Sequence, residues 1–279
     1  MNVYIEGMLA STGINILLAL SAYAILATDR LSLGNAGFMA IGAYLSSYLS
    51  VNLGWELLPA IVAGGCAAAL IGLLVGLPVL RLKGIYFVMG TLAFGEIVRT
   101  FFQNFEPTGG AYGMRGMFGT TLTMIYAFVV LFVGLYVALG MSRASSVCAA
   151  VCDDDEAARS IGINIVAVRL LSFAWGALIA GVAGALSAHY TLYIESGNFN
   201  FLVSASAVLF VILGGVQTVW GAVIGAVVFT LLPEGLRFLS DWRLTAYGAI
   251  LVALMALRPE GVLTRAMLRS ARRVFKRPA

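Results

Sequence analysis

The chain of 279 residues has little of what a soluble enzyme relies on. It holds one histidine, three cysteines and six prolines, and 11% of its residues are charged. Soluble domains carry about 25% charged residues, so a water-soluble enzyme of this size is excluded. With a single histidine, no metal site is expected. Cys66, Cys148 and Cys152 make no disulfide framework. Only two lysines are present; Lys83 precedes Gly84 and Lys276 precedes Arg277. The Gly-Lys-Ser/Thr loop that cradles nucleotide phosphates is therefore missing, and no two glycines are spaced G-x-G. ATP hydrolysis by this chain is not expected.

What remains is apolar: 61% hydrophobic residues and 32 glycines. A span needs about 20 apolar residues. Nine such runs are read at about 8–27, 37–53, 58–80, 85–103, 121–140, 167–188, 203–216, 219–237 and 244–257. The expected fold is an all-α polytopic membrane protein of about nine spans, with eight to ten compatible with the runs. Residues 1–257 form the membrane domain, interrupted by a polar loop at 141–166, and 258–279 form a basic tail. No cleavable signal is expected, because residues 1–7 lack Lys and Arg and the first run is long enough to span.

Charge placement orients the spans. Of the 17 Lys and Arg, the tail holds Arg258, Arg265, Arg269, Arg272, Arg273, Lys276 and Arg277. With Arg81 and Lys83 in one loop and Arg143, Arg159 and Arg169 in another, the positive-inside bias puts these regions in the cytoplasm and the N-terminus outside. Glu56, Glu106 and Glu195 then fall outside.

Two runs are interrupted. LSLGNAGFMAIGAYL (31–45) opens on Gly34, Asn35 and Gly37, and LFVILGGVQTVWGAVIG (209–225) breaks at Gly214-Gly215. Glycine breaks free backbone groups that protein or water must satisfy, and such breaks often line a pathway. A tight turn between two short spans explains the second equally well. Small-xxx-small pairs such as Gly72/Gly76, Ala180/Gly184, Gly181/Ala185 and Gly221/Gly225 predict close helix packing. Ionisable groups inside the runs are few. Glu96 and Arg99 are spaced to pair with each other, and His189 reads as an interfacial residue.

The longest polar stretch, 141–169, contains Asp153-Asp154-Asp155-Glu156-Ala157-Ala158-Arg159-Ser160-Ile161-Gly162. Acids suit a helix N-terminus and a glycine suits its end, so a short helix is predicted. Glu156, Ala157 and Ala158, then three residues, then Gly162, also resemble the coupling segment of ABC-importer permeases. The setting strengthens this: LSLGNAGFMAIGAYL (31–45), RLKGIYFVMGTLAFGEIVR (81–99), PTGGAYGM (107–114), EAARSIGIN (156–164), LSFAWGALIAGVAGALSAHY (171–190), LGGVQTVWGAVIGA (213–226) and LRPEGVL (257–263) occur in order. Together they resemble the branched-chain amino acid ABC-importer permease family, in the subunit type related to urea-importer permeases.

The resemblance implies a bacterial inner-membrane complex. Its expected partners are a second homologous permease, two cytoplasmic ATPase subunits that use the ATP and Mg, and an extracytoplasmic substrate-binding protein. It implies ATPase coupling through Glu156, Ala157, Ala158 and Gly162, with Gly34, Asn35, Gly37, Thr91, Glu96, Gly214 and Gly215 at the pathway or gate. Leucine, isoleucine and valine are the implied substrates, with urea and short amides as alternatives. PTGGAYGM, Gln217-Thr218 and the triple Asp before Glu156 depart from the family's usual wording. A stand-alone ion-coupled carrier is the reading from another class. It requires ionisable groups inside the membrane, and these runs are nearly devoid of them.

Overall fold

Hydrocarbon offers backbone groups no partners, so an apolar run must bond to itself as a helix. The computed structural model describes residues 3–117, 119–236, 242–257 and 261. In it, each of the nine apolar runs is helical: α1 Val3–Leu26, α2 Asn35–Asn52, α3 Leu57–Val79, α4 Ile85–Asn104, α5 Leu122–Gly140, α8 Ile165–Thr191, α9 Phe201–Gly214, α10 Val219–Gly235 and α11 Arg243–Leu257. Two polar helices, α6 Arg143–Asp153 and α7 Asp155–Ser160, lie between α5 and α8. The strands are two-residue pieces: β1 Met114–Arg115 pairs antiparallel with β2 Tyr193–Ile194. Among the described residues, six helical segments are long and apolar enough to cross a membrane: α1, α3, α4, α5, α8 and residues 196–214, which contain α9. The basic tail lies outside the described residues apart from Gly261.

Helix α8 is the axis of the bundle, packed against α1, α2 and α3. Its glycines permit this. A methyl group on Gly184 would overlap the Met39 carbonyl of α2, and one on Gly42 would overlap the Gly181 backbone. At Gly181 the same addition would come 2.5 Å from the Ala68 side chain and 3.1 Å from Gly65 Cα. The three helices meet backbone to backbone, the contact available to spans that gain nothing from hydrophobicity in lipid.

Between α1 and α2 the chain leaves helical form, yet Thr28, Ser32 and Gly34 are buried. Hydroxyl groups satisfy this strap. Leu33 N donates to Thr91 Oγ1 at 3.0 Å, and Thr91 Oγ1 donates to Val88 O at 2.9 Å within α4. Gly34 N donates to Ser32 Oγ, and Ala36 N donates to Ser204 Oγ of α9 at 2.8 Å. Thr91 lies about 9 Å along α4 from its first residue at 1.5 Å per residue, so the strap reaches well into the bundle. The Gly214-Gly215 break is a turn: Gly215 takes φ 120°, and Thr218 Oγ1 accepts from Gly221 N to start α10. Gly214 then sits against Gly221 and Gly225, and buried Gly261 against Gly215.

Gly184→Val should destabilise the detergent-solubilised protein by about 1–3 kcal/mol through overpacking. Gly134→Ala, at a position with open space around it, should be neutral or slightly stabilising; thermal unfolding of both checks the contrast. Thr91→Val leaves the Leu33 amide unpaired at a cost of about 1–3 kcal/mol. Hydrogen exchange at that amide should accelerate, and unchanged exchange would refute the role of Thr91.

Candidate functional site

The polar loop is built by caps. Ser142 Oγ accepts from Ala144 N and starts α6. Asp154 closes α6, its N–H donating to Ala150 O, and opens α7. Its Oδ1 accepts from Glu156 N at 2.8 Å and Ala157 N at 3.2 Å. Gly162, at φ 84°, ends the segment, with Gly162 N donating to Arg159 O and Ile163 N to Ala158 O. Asn164 Oδ1 then accepts from Ala167 N and caps α8. Ala158, Val151 and Ile165 form a small apolar cluster beneath α7, apart from the main core. Above it Glu156, Ala157, Arg159, Ser160 and Gly162 are exposed, and Ile161 is 73% exposed. The loop thus presents a short capped ridge of one acid, one base, small residues and one large apolar side chain. Helix α6 has no counterpart among the sequence expectations, which treat 141–169 as one polar stretch with a single short helix at the acidic run.

Under α7 lies a charge network absent from the sequence reading of the site. Arg169 of α8 donates from Nη1 and Nη2 to the two carboxylate oxygens of Asp155, both at 2.9 Å. Its Nε donates to Thr28 O at 3.4 Å. Arg169 is buried, and the Asp155 side chain is 40% exposed. Next to it, Arg30 donates from Nη1 to Leu82 O at 3.3 Å and lies 5.7 Å from the Phe87 ring centre. Burial lowers the Arg30 pKa, and the neighbouring Arg169 lowers it further, while Asp155 and Asp29 oppose both. The one available sequence signal was an arginine a few residues inside an apolar helix.

The residues expected at the pathway fall into separate groups. Gly34 and Gly37 pack on α4, where a methyl group would come 3.0 Å from Thr91 O and from Gly95 Cα respectively. Asn35 is fully buried at the start of α2, with neither carboxamide atom hydrogen-bonded within the structure. Glu96 Oε2 accepts from Arg99 Nη1 at 3.0 Å, with the two side chains 40% and 35% exposed. This pair is on an outward face of α4, where Glu96, Ile97, Thr100, Phe101, Asn104 and Phe105 line an open groove. Gly214 and Gly215 belong to the α9–α10 turn. His189, in the last turn of α8, is fully buried among protein side chains, and its carbonyl accepts from Thr120 N. At that end of the bundle Tyr193 O–H donates to Glu195 Oε2, and Arg115 lies over the Tyr193 ring. Among the described residues no three His, Cys, Asp or Glu side chains are grouped to hold a metal.

Residues 4–257 match the family described as branched-chain amino acid transport system / permease component. The high-affinity branched-chain amino acid transport system permease protein LivM of Escherichia coli K12 is 30% identical over 90% of the chain and 66% of LivM. The E. coli K12 permease protein LivH of the same kind of system is 31% identical over 44% of the chain and 41% of LivH. The galactose/methyl galactoside import permease protein MglC of Haemophilus influenzae is 22% identical over 90% of the chain and 85% of MglC. The chain therefore spans 66% of the length of LivM. No solved structure matches it. The matched span runs from within α1 to the end of α11 and includes α7, and the chain belongs to the branched-chain amino acid transport permease family.

Proposed function

We propose that the chain is a membrane-spanning subunit of a binding-protein-dependent ABC importer and that leucine, isoleucine and valine are its substrates. The observation that carries this is the exposed, capped ridge from Glu156 to Gly162 within a chain of this family. A short capped helix that leaves Glu156, Ala157, Arg159, Ser160 and Ile161 exposed suits insertion into a groove of a soluble ATPase subunit. Two such ATPases supply the ATP and Mg chemistry; this chain needs no cofactor. An extracytoplasmic binding protein delivers the substrate. All nine apolar helices cross the bilayer, with α2, α9, α10 and α11 the short members, and the α7 end and the basic tail are cytoplasmic, where positive loops belong.

The pathway runs along α4. A charged pair on a span is costly against lipid, so the half-exposed Glu96–Arg99 face is turned to a water-filled route shared with a second, homologous permease. Likeness to both LivM and LivH supports a pair of related subunits. Gly34, Asn35, Gly37 and Thr91 form the gate on the cytoplasmic side of that route. Gly214 and Gly215 serve it at one remove, as the hinge between α9 and α10. A second reading of the substrate, a hexose, has the likeness to MglC in its favour; urea and short amides remain the alternatives that the sequence resemblance raised.

Pull-down of the tagged chain from its membrane should bring ATPase subunits and a second permease with it. In proteoliposomes of that complex, uptake of labelled leucine should require ATP and exceed uptake of galactose or urea; hexose uptake in its place would move the substrate to the second reading. Active uptake by the chain alone, driven by an ion gradient, would overturn the importer. Glu156→Arg and Gly162→Leu should each lower leucine uptake about tenfold, within the usual range of coupling effects, while membrane insertion is unchanged. Normal uptake in both variants would remove α7 from the coupling route.

A further inference from the structure

Helix α7 has six residues, too few to hold its own position. Its apolar support is small, formed by Val151, Ala158 and Ile165 with Ile163 and Val168 packed on them. The one charged tie from α7 to the main bundle that the structure shows is the fork of Arg169 on Asp155, two bonds of 2.9 Å. A bidentate guanidinium–carboxylate pair fixes direction as well as distance. The same guanidinium reaches the end of α1 through Thr28 O. From there the chain runs directly into the strap at 28–34. Arg30 ties that strap to Leu82 O and the Phe87 ring at the start of α4, and Leu33 N ties it to Thr91. The strap ends at Gly34 and Asn35, where α2 begins against α4.

We infer that Arg169 is a positioning residue that links the ATPase-facing helix to the gate, with Asp155 as its partner on α7. The inference rests on the reading of α7 as the helix the ATPase subunits engage. A displacement of α7 pulls on Arg169 through both carboxylate oxygens. Arg169 shifts the Thr28 carbonyl, and the strap carries the movement to the contact of Gly34 and Gly37 with Thr91 and Gly95. The links are hydrogen bonds, the Arg30–Phe87 ring contact, the covalent chain of the strap and packed glycine contacts, with the Arg30–Leu82 bond at the exposed edge. A chain of contacts alone does not establish coupling, so the test must read coupling and not stability.

The measurement is ATP hydrolysed per leucine imported by the full complex in proteoliposomes, with both permeases, the ATPase subunits and the binding protein present. Asp155→Asn keeps the size of the side chain and removes its charge. It should lower leucine uptake about tenfold while hydrolysis by the assembled complex stays within about twofold, a loss of coupling in the ordinary range. Arg169→Lys keeps the charge but not the fork, and should act in the same direction. Asp155→Glu should restore most of the ratio. If Arg169→Lys fails to accumulate in the membrane, Asp155→Asn decides, because its carboxylate lies at the exposed end of the pair. Uptake and hydrolysis falling together, or neither changing, would overturn the link while leaving the importer intact. A wild-type complex without ATPase subunits would instead overturn the reading of α7 and the link with it.

Discussion

The absence of water from the hydrocarbon is the constraint on which the rest of the structure depends. The apolar runs meet it by closing their hydrogen bonds within helices. The strap at 28–34 cannot, and its solution organises the centre of the molecule. Thr91 from α4 and Ser204 from α9 lend hydroxyls to Leu33 N and Ala36 N, so three distant parts of the chain converge where the backbone is not helical. A hydroxyl suits this task because Thr91 accepts from the strap while donating to Val88 O within its own helix. Once committed there, α4 is fixed against the start of α2, and the close approach of Gly34 and Gly37 follows.

The same solvent explains the use of glycine. Lipid tails do not drive apolar helices together, so packing must be tight to be favourable. Where α2, α3 and α8 cross, side chains beyond hydrogen are excluded at Gly42, Gly181 and Gly184. The α9–α10 turn uses its glycines likewise, with the left-handed Gly215 making the reversal and Gly214, Gly221 and Gly225 the contact. Polar ties between helices are added sparingly: Asn15 Nδ2 donates to Thr230 Oγ1 between α1 and α10, and Tyr136 O–H donates to Leu20 O between α5 and α1.

The helices were legible in the sequence because apolar runs bounded by charge, Gly and Pro leave few alternatives in a membrane. Their packing was legible only as a tendency: the small-residue pairs named Gly181 and Gly184 but not the surfaces they meet. At the Gly214-Gly215 break, composition left a turn and a pathway equally open; the backbone there turns between α9 and α10, with Gly215 at φ 120°. Glu96 and Arg99 could be paired from their spacing, because three residues along a helix bring side chains to one face. The Asp155–Arg169 pair could not, since fourteen positions and two helix ends separate its members and nothing local specifies their meeting. Asn35 was visible as a polar residue at a break; its burial with an unpaired carboxamide needed the fold.

The acidic run from Asp154 to Glu156 is a division of labour rather than a patch of charge. Asp154 is consumed in capping α7 through two backbone amides, and Asp155 turns inward to Arg169. Glu156, the next residue, is left exposed on the ridge. Successive residues on a helix point about 100° apart, so adjacent acids can serve the helix end, the bundle and the outside without competing. A single acid at this point could either cap the helix or anchor it. With three in a row, α7 is held at its start and tied to α8, and it still presents a charge on its free face. That combination fixes a six-residue segment at its start and on its inner face, which is what the proposed coupling to a soluble ATPase requires of it.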